Sequence, residues 1–193
     1  VGNALWRTDG TAQGTFELKT GFAGFSEFTE FNGKLFFRSG KIPQEDRVAW
    51  SELWASDGTP SGTVLVKRSS SYDVNIAPST NTYLFFGASD AATGWELYRT
   101  DGTVAGTALV KDLLPGTGNG FRGVSTAAPV GNLLFFAGNN GTSGTELWKT
   151  DGTSAGTVMI RDINPGVGDG KDGGAFSLKN LIYFRGNNGE KGW

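Results

Sequence analysis

The chain has 193 residues with 17 basic against 19 acidic side chains, a balance that points to no nucleic acid and no anionic membrane surface. It contains no cysteine and no histidine, which excludes thiolate, zinc–thiolate and iron–sulfur chemistry and removes the commonest general base. Thirty-one glycines beside 14 Phe, 6 Trp and 4 Tyr describe a turn-rich chain whose aromatic surface needs a core.

In chain order, the first recognisable segment is ALWRTDGTAQGT from Ala4. Near copies of it return as ELWASDGTPSGT from Glu52, ELYRTDGTVAGT from Glu96 and ELWKTDGTSAGT from Glu146. A second block precedes each later copy: KLFFRSG from Lys34, YLFFGAS from Tyr83, LLFFAGN from Leu133. It returns once more as LIYFRGN from Leu181. The aspartates Asp9, Asp57, Asp101 and Asp151 are spaced by 48, 44 and 50 residues. That period is near the roughly 50 residues of kelch-type blades.

Each unit reads as four strands. A small-residue stretch such as Gly123 to Pro129 is the first, the LFF block the second and ELW the third. DGTxxGT is a tight turn, because Asp can accept from the backbone ahead of it and Gly accepts positive φ. A β-branched run such as Thr63 to Lys67 or Thr157 to Arg161 is the fourth strand. Large apolar residues at successive positions in LFF and ELW give both sheet faces an apolar surface, which radially stacked sheets would cover. A β-solenoid is the rival, but its coils are usually shorter than these units.

The expected fold is all-β, one domain over residues 1–193. It is a four-bladed β-propeller with four-stranded antiparallel blades, the ring closed by the N- and C-terminal strands. The chain starts at a third strand and stops after a second, so closing Trp193 onto Val1 makes the interval from Asp151 round to Asp9 51 residues, like the others. Such closure removes free sheet edges. The alternative is a segment of a larger propeller.

At these residues the chain resembles the ELWxxDGT-repeat proteins and, more loosely, the kelch-like propellers. The match is specific at Glu52-Leu53-Trp54, Glu96-Leu97-Tyr98 and Glu146-Leu147-Trp148 with their DGT turns; it departs at Ala4 and at Tyr98. The resemblance implies secreted or surface-attached bacterial proteins and supplies no catalytic residues.

The repeated aromatics and aspartates read as packing and turn caps, so function is expected on the connecting loops. Trp50, Trp95 and Trp193 sit at loop ends, with Asp90, Asn139 and Asn187 nearby. Indole faces beside hydroxyl-binding side chains suit sugar rings, and the competing reading makes those rings caps of the blade rim. Asp162, Asn164, Asp169 and Asp172 put oxygen ligands at the short spacing that a hard cation such as calcium takes, against the alternative of a solvated loop. No cofactor is required.

These features suggest an extracellular or cell-surface binding module for carbohydrate or a surface protein, not inserted in a membrane and not an enzyme. A structural or adhesive scaffold is the second reading. A carboxylate-based carbohydrate-active enzyme is the third, and it needs Glu45, Asp46, Asp90 and Glu190 to converge.

Overall fold

A computed structural model describes residues 2–41, 50–70 and 74–190. The chain opens with β1 (Asn3–Arg7) and β2 (Phe16–Phe22), an antiparallel pair that stands as its own sheet. Three four-stranded sheets follow, each with its strands in sequence order. The first is β3 (Ser26–Phe31), β4 (Lys34–Lys41), β5 (Trp50–Ser56) and β6 (Val64–Ser69). The second is β7 (Asn75–Ile76), β8 (Leu84–Asp90), β9 (Gly94–Thr100) and β10 (Ala108–Leu109). The third is β11 (Ala128–Val130), β12 (Leu133–Asn139), β13 (Thr145–Thr150) and β14 (Val158–Arg161). A last pair, β15 (Lys171–Leu178) and β16 (Leu181–Gly186), is again a separate sheet. All these pairings are antiparallel.

The LFF and ELW blocks are the paired central strands, in one register throughout: Phe37 opposite Trp54, Phe86 opposite Tyr98, Phe136 opposite Trp148. Successive aromatics serve opposite faces, as a period of two requires. Phe37 packs with Leu5, Leu18 and Phe22 of the preceding pair. Phe36 joins Leu84, Phe86 and Tyr98 of the following sheet. Phe85 lies in the next cluster with Leu134, Phe136 and Trp148. Phe36, Phe37, Phe85, Phe86 and Phe136 are all fully buried. The sheets therefore stack face to face in chain order, which accounts for the apolar residues on both faces.

The first strand is shorter than its sequence suggests. Of Gly123 to Pro129, Val124–Thr126 form a 3-10 turn and β11 begins only at Ala128. Gly123 has φ 109, and the Thr126 hydroxyl donates to the Gly123 carbonyl at 2.6 Å while accepting from the Ala137 amide at 3.2 Å. The side chain takes over the pairing that the backbone would otherwise make.

Each DGTxxGT turn is a hydrogen-bonded unit in which nearly every motif residue has a task. In the first complete sheet, Asp57 Oδ1 accepts from the Thr59 amide (2.9 Å) and hydroxyl (2.7 Å). Thr59 Oγ1 accepts from the Gly62 amide at 2.9 Å, and Thr63 Oγ1 donates to the Thr59 carbonyl at 2.8 Å. Gly58 has φ 85, the left-handed region that glycine tolerates. Gly62 serves differently: a Cβ there would land on the Asp57 carboxylate. The same bonds recur around Asp9, Asp101 and Asp151. Thr side-chain and backbone donors hold all four carboxyls below the usual range.

The two end pairs differ from the interior. Phe176 (66% exposed), Leu181 (59%), Tyr183 (52%) and Trp6 (56%) face outward, whereas Phe85 and Trp148, at positions equivalent to Tyr183 and Trp6, are buried. Among the described residues the pairing of β16 with β1 that a closed ring calls for is not formed: the stacking runs in sequence and leaves an apolar face on the last pair and an exposed Trp6, opposite Glu17, on the first.

Candidate functional site

The seam between the second and third sheets is apolar. Trp95 on β9 is half-buried, with its ring 5.2 Å from that of Phe121, which lies 5.8 Å from Phe136. Phe121 bridges to Gly138 of β12. At the next seam Lys171 occupies the equivalent place, opposite Gly186 of β16, and Thr145 stands where Trp95 does. The frame around the pair is unchanged. The Trp95 amide donates to Asn119 Oδ1 at 3.0 Å, and the Thr145 amide donates to Asp169 Oδ1 at 2.7 Å. One aromatic pair has been exchanged for a hydroxyl and an ammonium.

The exchange leaves a polar cleft of about 340 Å³, lined by Arg122, Thr126, Ala137 and Thr145 of the third sheet's unit and by Asp169, Lys171, Asp172 and Gly173 beyond it. Its volume lies in the small-molecule range of roughly 300 to 1,000 Å³. Lys171 is only 1% exposed, and its Nζ donates to the Gly173 carbonyl at 2.8 Å. Burial pushes its ammonium down to about 8. Arg122 Nε donates to Thr145 Oγ1 at 3.1 Å. Asp172 is paired with Arg185 and accepts from the Gly173 amide at 2.7 Å.

The motif glutamates lie behind these seams. Glu96 is fully buried; its Oε1 accepts from the Gly120 amide at 2.7 Å, tying β9 to the loop that leads into the next sheet. Burial, opposed by the Gly120 and Leu113 amides and reinforced by nearby Asp112, pushes its carboxyl up to about 7. Glu146 repeats the arrangement, accepting from the Ile163 amide at 3.1 Å, and burial raises it too. Glu52 instead pairs with Arg68 at 2.7 Å. The sequence disclosed these glutamates only as motif letters. The signal for Lys171 was available by aligning NGFRG (Asn119 to Gly123) with DGKDG (Asp169 to Gly173), where a lysine replaces a core phenylalanine.

The residues expected to bind a ligand are dispersed. Trp95 is half-buried and packs into a seam against Phe121. Trp50 pairs with Lys41 while Trp95 pairs with Ser89, one step out of phase, so their rings point to opposite faces. The Arg68 guanidinium sits 4.9 Å from the Trp50 ring centroid. Asp90 lines a second cleft of about 280 Å³ with Arg68, Ser69 and Ser89, and is 3.5 Å from Lys67. Asn139 and Asn187 accept from the Gly141 (2.7 Å) and Gly189 (2.9 Å) amides as turn caps. Trp193, Glu45 and Asp46 lie outside the described residues.

The proposed cation ligands do not gather. Asp169 is committed to the Thr145 amide, Asp172 to Arg185, and Asn164 Nδ2 to the Asp169 carbonyl at 3.4 Å. Asp162 Oδ1 is buried without a partner. Among the described residues no three acidic side chains form a metal-holding group. Asp169 and Asp172 thus have partners within the protein, whereas Asp162 Oδ1 has none.

No family model matches the sequence, and no curated protein is similar to it. Among solved structures, the crystal structure of a serine-to-alanine mutant of puromycin hydrolase complexed with PGG is similar, with TM-score 0.50 and 15% identity. The match covers 84% of this chain and 25% of that one, so this chain spans a quarter of that structure's length. At that identity the likeness is one of fold alone.

Proposed function

We propose that the chain is a carbohydrate-binding module built of propeller blades, and that the cleft at Thr145 and Lys171 holds the ligand. The blade reading is supported by three antiparallel four-stranded sheets stacked in chain order and by the likeness to a propeller-like hydrolase. The ELWxxDGT resemblance adds the secreted or cell-surface setting. One observation carries the functional reading: at this seam an aromatic pair gives way to polar groups around a ligand-sized space.

The variant Thr145→Trp/Lys171→Phe rebuilds the neighbouring seam and fills the cleft. Its expected result is an intact β-sheet circular dichroism spectrum with loss of all binding on a glycan array. Retained binding would remove the cleft from the reading. Loop substitutions at Trp50 are expected to leave binding unchanged, since its ring lies against Arg68.

The ring of four blades requires β16 to take β1 in the register of the complete sheets, with Phe184 opposite Trp6. A chain whose ends do not meet keeps the apolar face of Phe176, Leu181 and Tyr183, and such a face drives association. Light scattering is expected to show mass rising with concentration, and Leu181→Ser/Tyr183→Ser to abolish that rise. A wild-type mass constant at one chain over the same range would mean that the ends cover each other.

A further inference from the structure

We infer that the cleft contains an anion subsite, in which the Lys171 ammonium and the Arg122 guanidinium hold the carboxylate or sulfate of an acidic saccharide. This rests on the reading of the cleft as a saccharide site and names the class of sugar it takes.

The argument starts from donors without acceptors. An ammonium carries three donors, and the Gly173 carbonyl takes one from Lys171. Among the described residues no carboxylate lies within ion-pair distance of Lys171 or Arg122. Two carboxylates do line the cleft, but Asp169 accepts from the Thr145 amide and Asp172 is held by Arg185. Two cations thus share one space without an ion pair among the described residues, the Asp169 carboxylate keeping its charge elsewhere in the lining.

A buried charge is costly unless it is paired. The position itself tolerates an apolar side chain, because Phe121 fills it one unit earlier, fully buried. The ammonium is therefore not needed to complete the seam, and what it adds is an unsatisfied positive centre facing a cavity. Arg122 supplies a planar fork suited to a two-oxygen anion. Thr126 and Thr145, also in the lining, offer hydroxyls to the rest of a sugar ring. The lowered affinity of Lys171 for its proton agrees with a desolvated cation awaiting a partner.

The test titrates the full chain with trigalacturonate, with the neutral galactotriose and with inorganic sulfate, following the ¹⁵Nζ resonance of Lys171 and binding heat. Trigalacturonate is expected to bind at least tenfold more tightly than galactotriose, with sulfate shifting the same resonance more weakly. Lys171→Met and Arg122→Gln are each expected to lower trigalacturonate affinity tenfold or more. Lys171→Phe serves as the folding control, since phenylalanine is accommodated at the equivalent seam. A sulfate response without binding of either saccharide would keep the anion subsite and remove the carbohydrate reading. Equal affinity for the two trisaccharides, or trigalacturonate binding unchanged in Lys171→Met, would overturn the subsite and leave the carbohydrate reading standing.

Discussion

Raising the pH from 4.5 to 7 is expected to destabilise the protein, by on the order of 3 kcal/mol through Glu96 alone. The sign follows from proton binding. Glu96 titrates near 4.5 in an unfolded chain, but burial pushes it up to about 7 in the native one. Between those values the folded state holds a proton that the unfolded state has released, so stability falls as pH rises and levels off above the native value. Glu146 is raised by the same cause and adds to the slope. The DGT aspartates are lowered, so their effect is confined to acid below this window. Denaturant unfolding at pH 5 and pH 7.5 measures the difference. Glu96→Gln keeps an oxygen for the Gly120 amide and removes the titration, so its slope should be markedly flatter. A Gln variant with the wild-type slope would assign the effect elsewhere.

The second large effect concerns the last glycine of the turn. Gly106→Ala is expected to cost about 2 to 3 kcal/mol, because the new Cβ would meet the Asp101 carboxylate. To make room, Asp101 must leave the Thr103 amide and hydroxyl, at 2.9 and 2.7 Å. Ala105→Gly, one residue earlier and exposed, should change stability by no more than about 0.5 kcal/mol. The double variant Asp101→Ala/Gly106→Ala separates crowding from backbone preference. If crowding dominates, it is no less stable than Asp101→Ala by more than about 0.5 kcal/mol. Full additivity of the two single changes would sink the crowding account.

Repetition made much of the architecture legible before any coordinates. The LFF and ELW blocks became the paired central strands, and DGT became the turn, because period and turn chemistry are local properties. What escaped were properties of the seams. Trp50 and Trp95 look alike as loop-end indoles, yet a one-residue offset sends them to opposite sheet faces. Asp162, Asn164, Asp169 and Asp172 are close in sequence, but spacing cannot reveal that a Thr145 amide and an Arg185 side chain claim two of them. Lys171 was overlooked for a related reason. A lone lysine in a Gly-rich loop reads as solvated until its register with Phe121 shows that it points inward.

The cleft has a thermodynamic consequence for the chain's end. Arg122, Thr126 and Thr145 belong to one sheet's unit, while Lys171 and Asp172 begin the last hairpin, so a bound ligand would add a bridge to the packing and the Thr145 hydrogen bonds to Asp169 and Gly170 that already join the two. Occupancy and docking of that hairpin are then linked reciprocally: whatever tightens one tightens the other by the same factor. Ligand would act as a rivet, and hydrogen exchange in β15 and β16 would report saturation of a site that those strands only half contain.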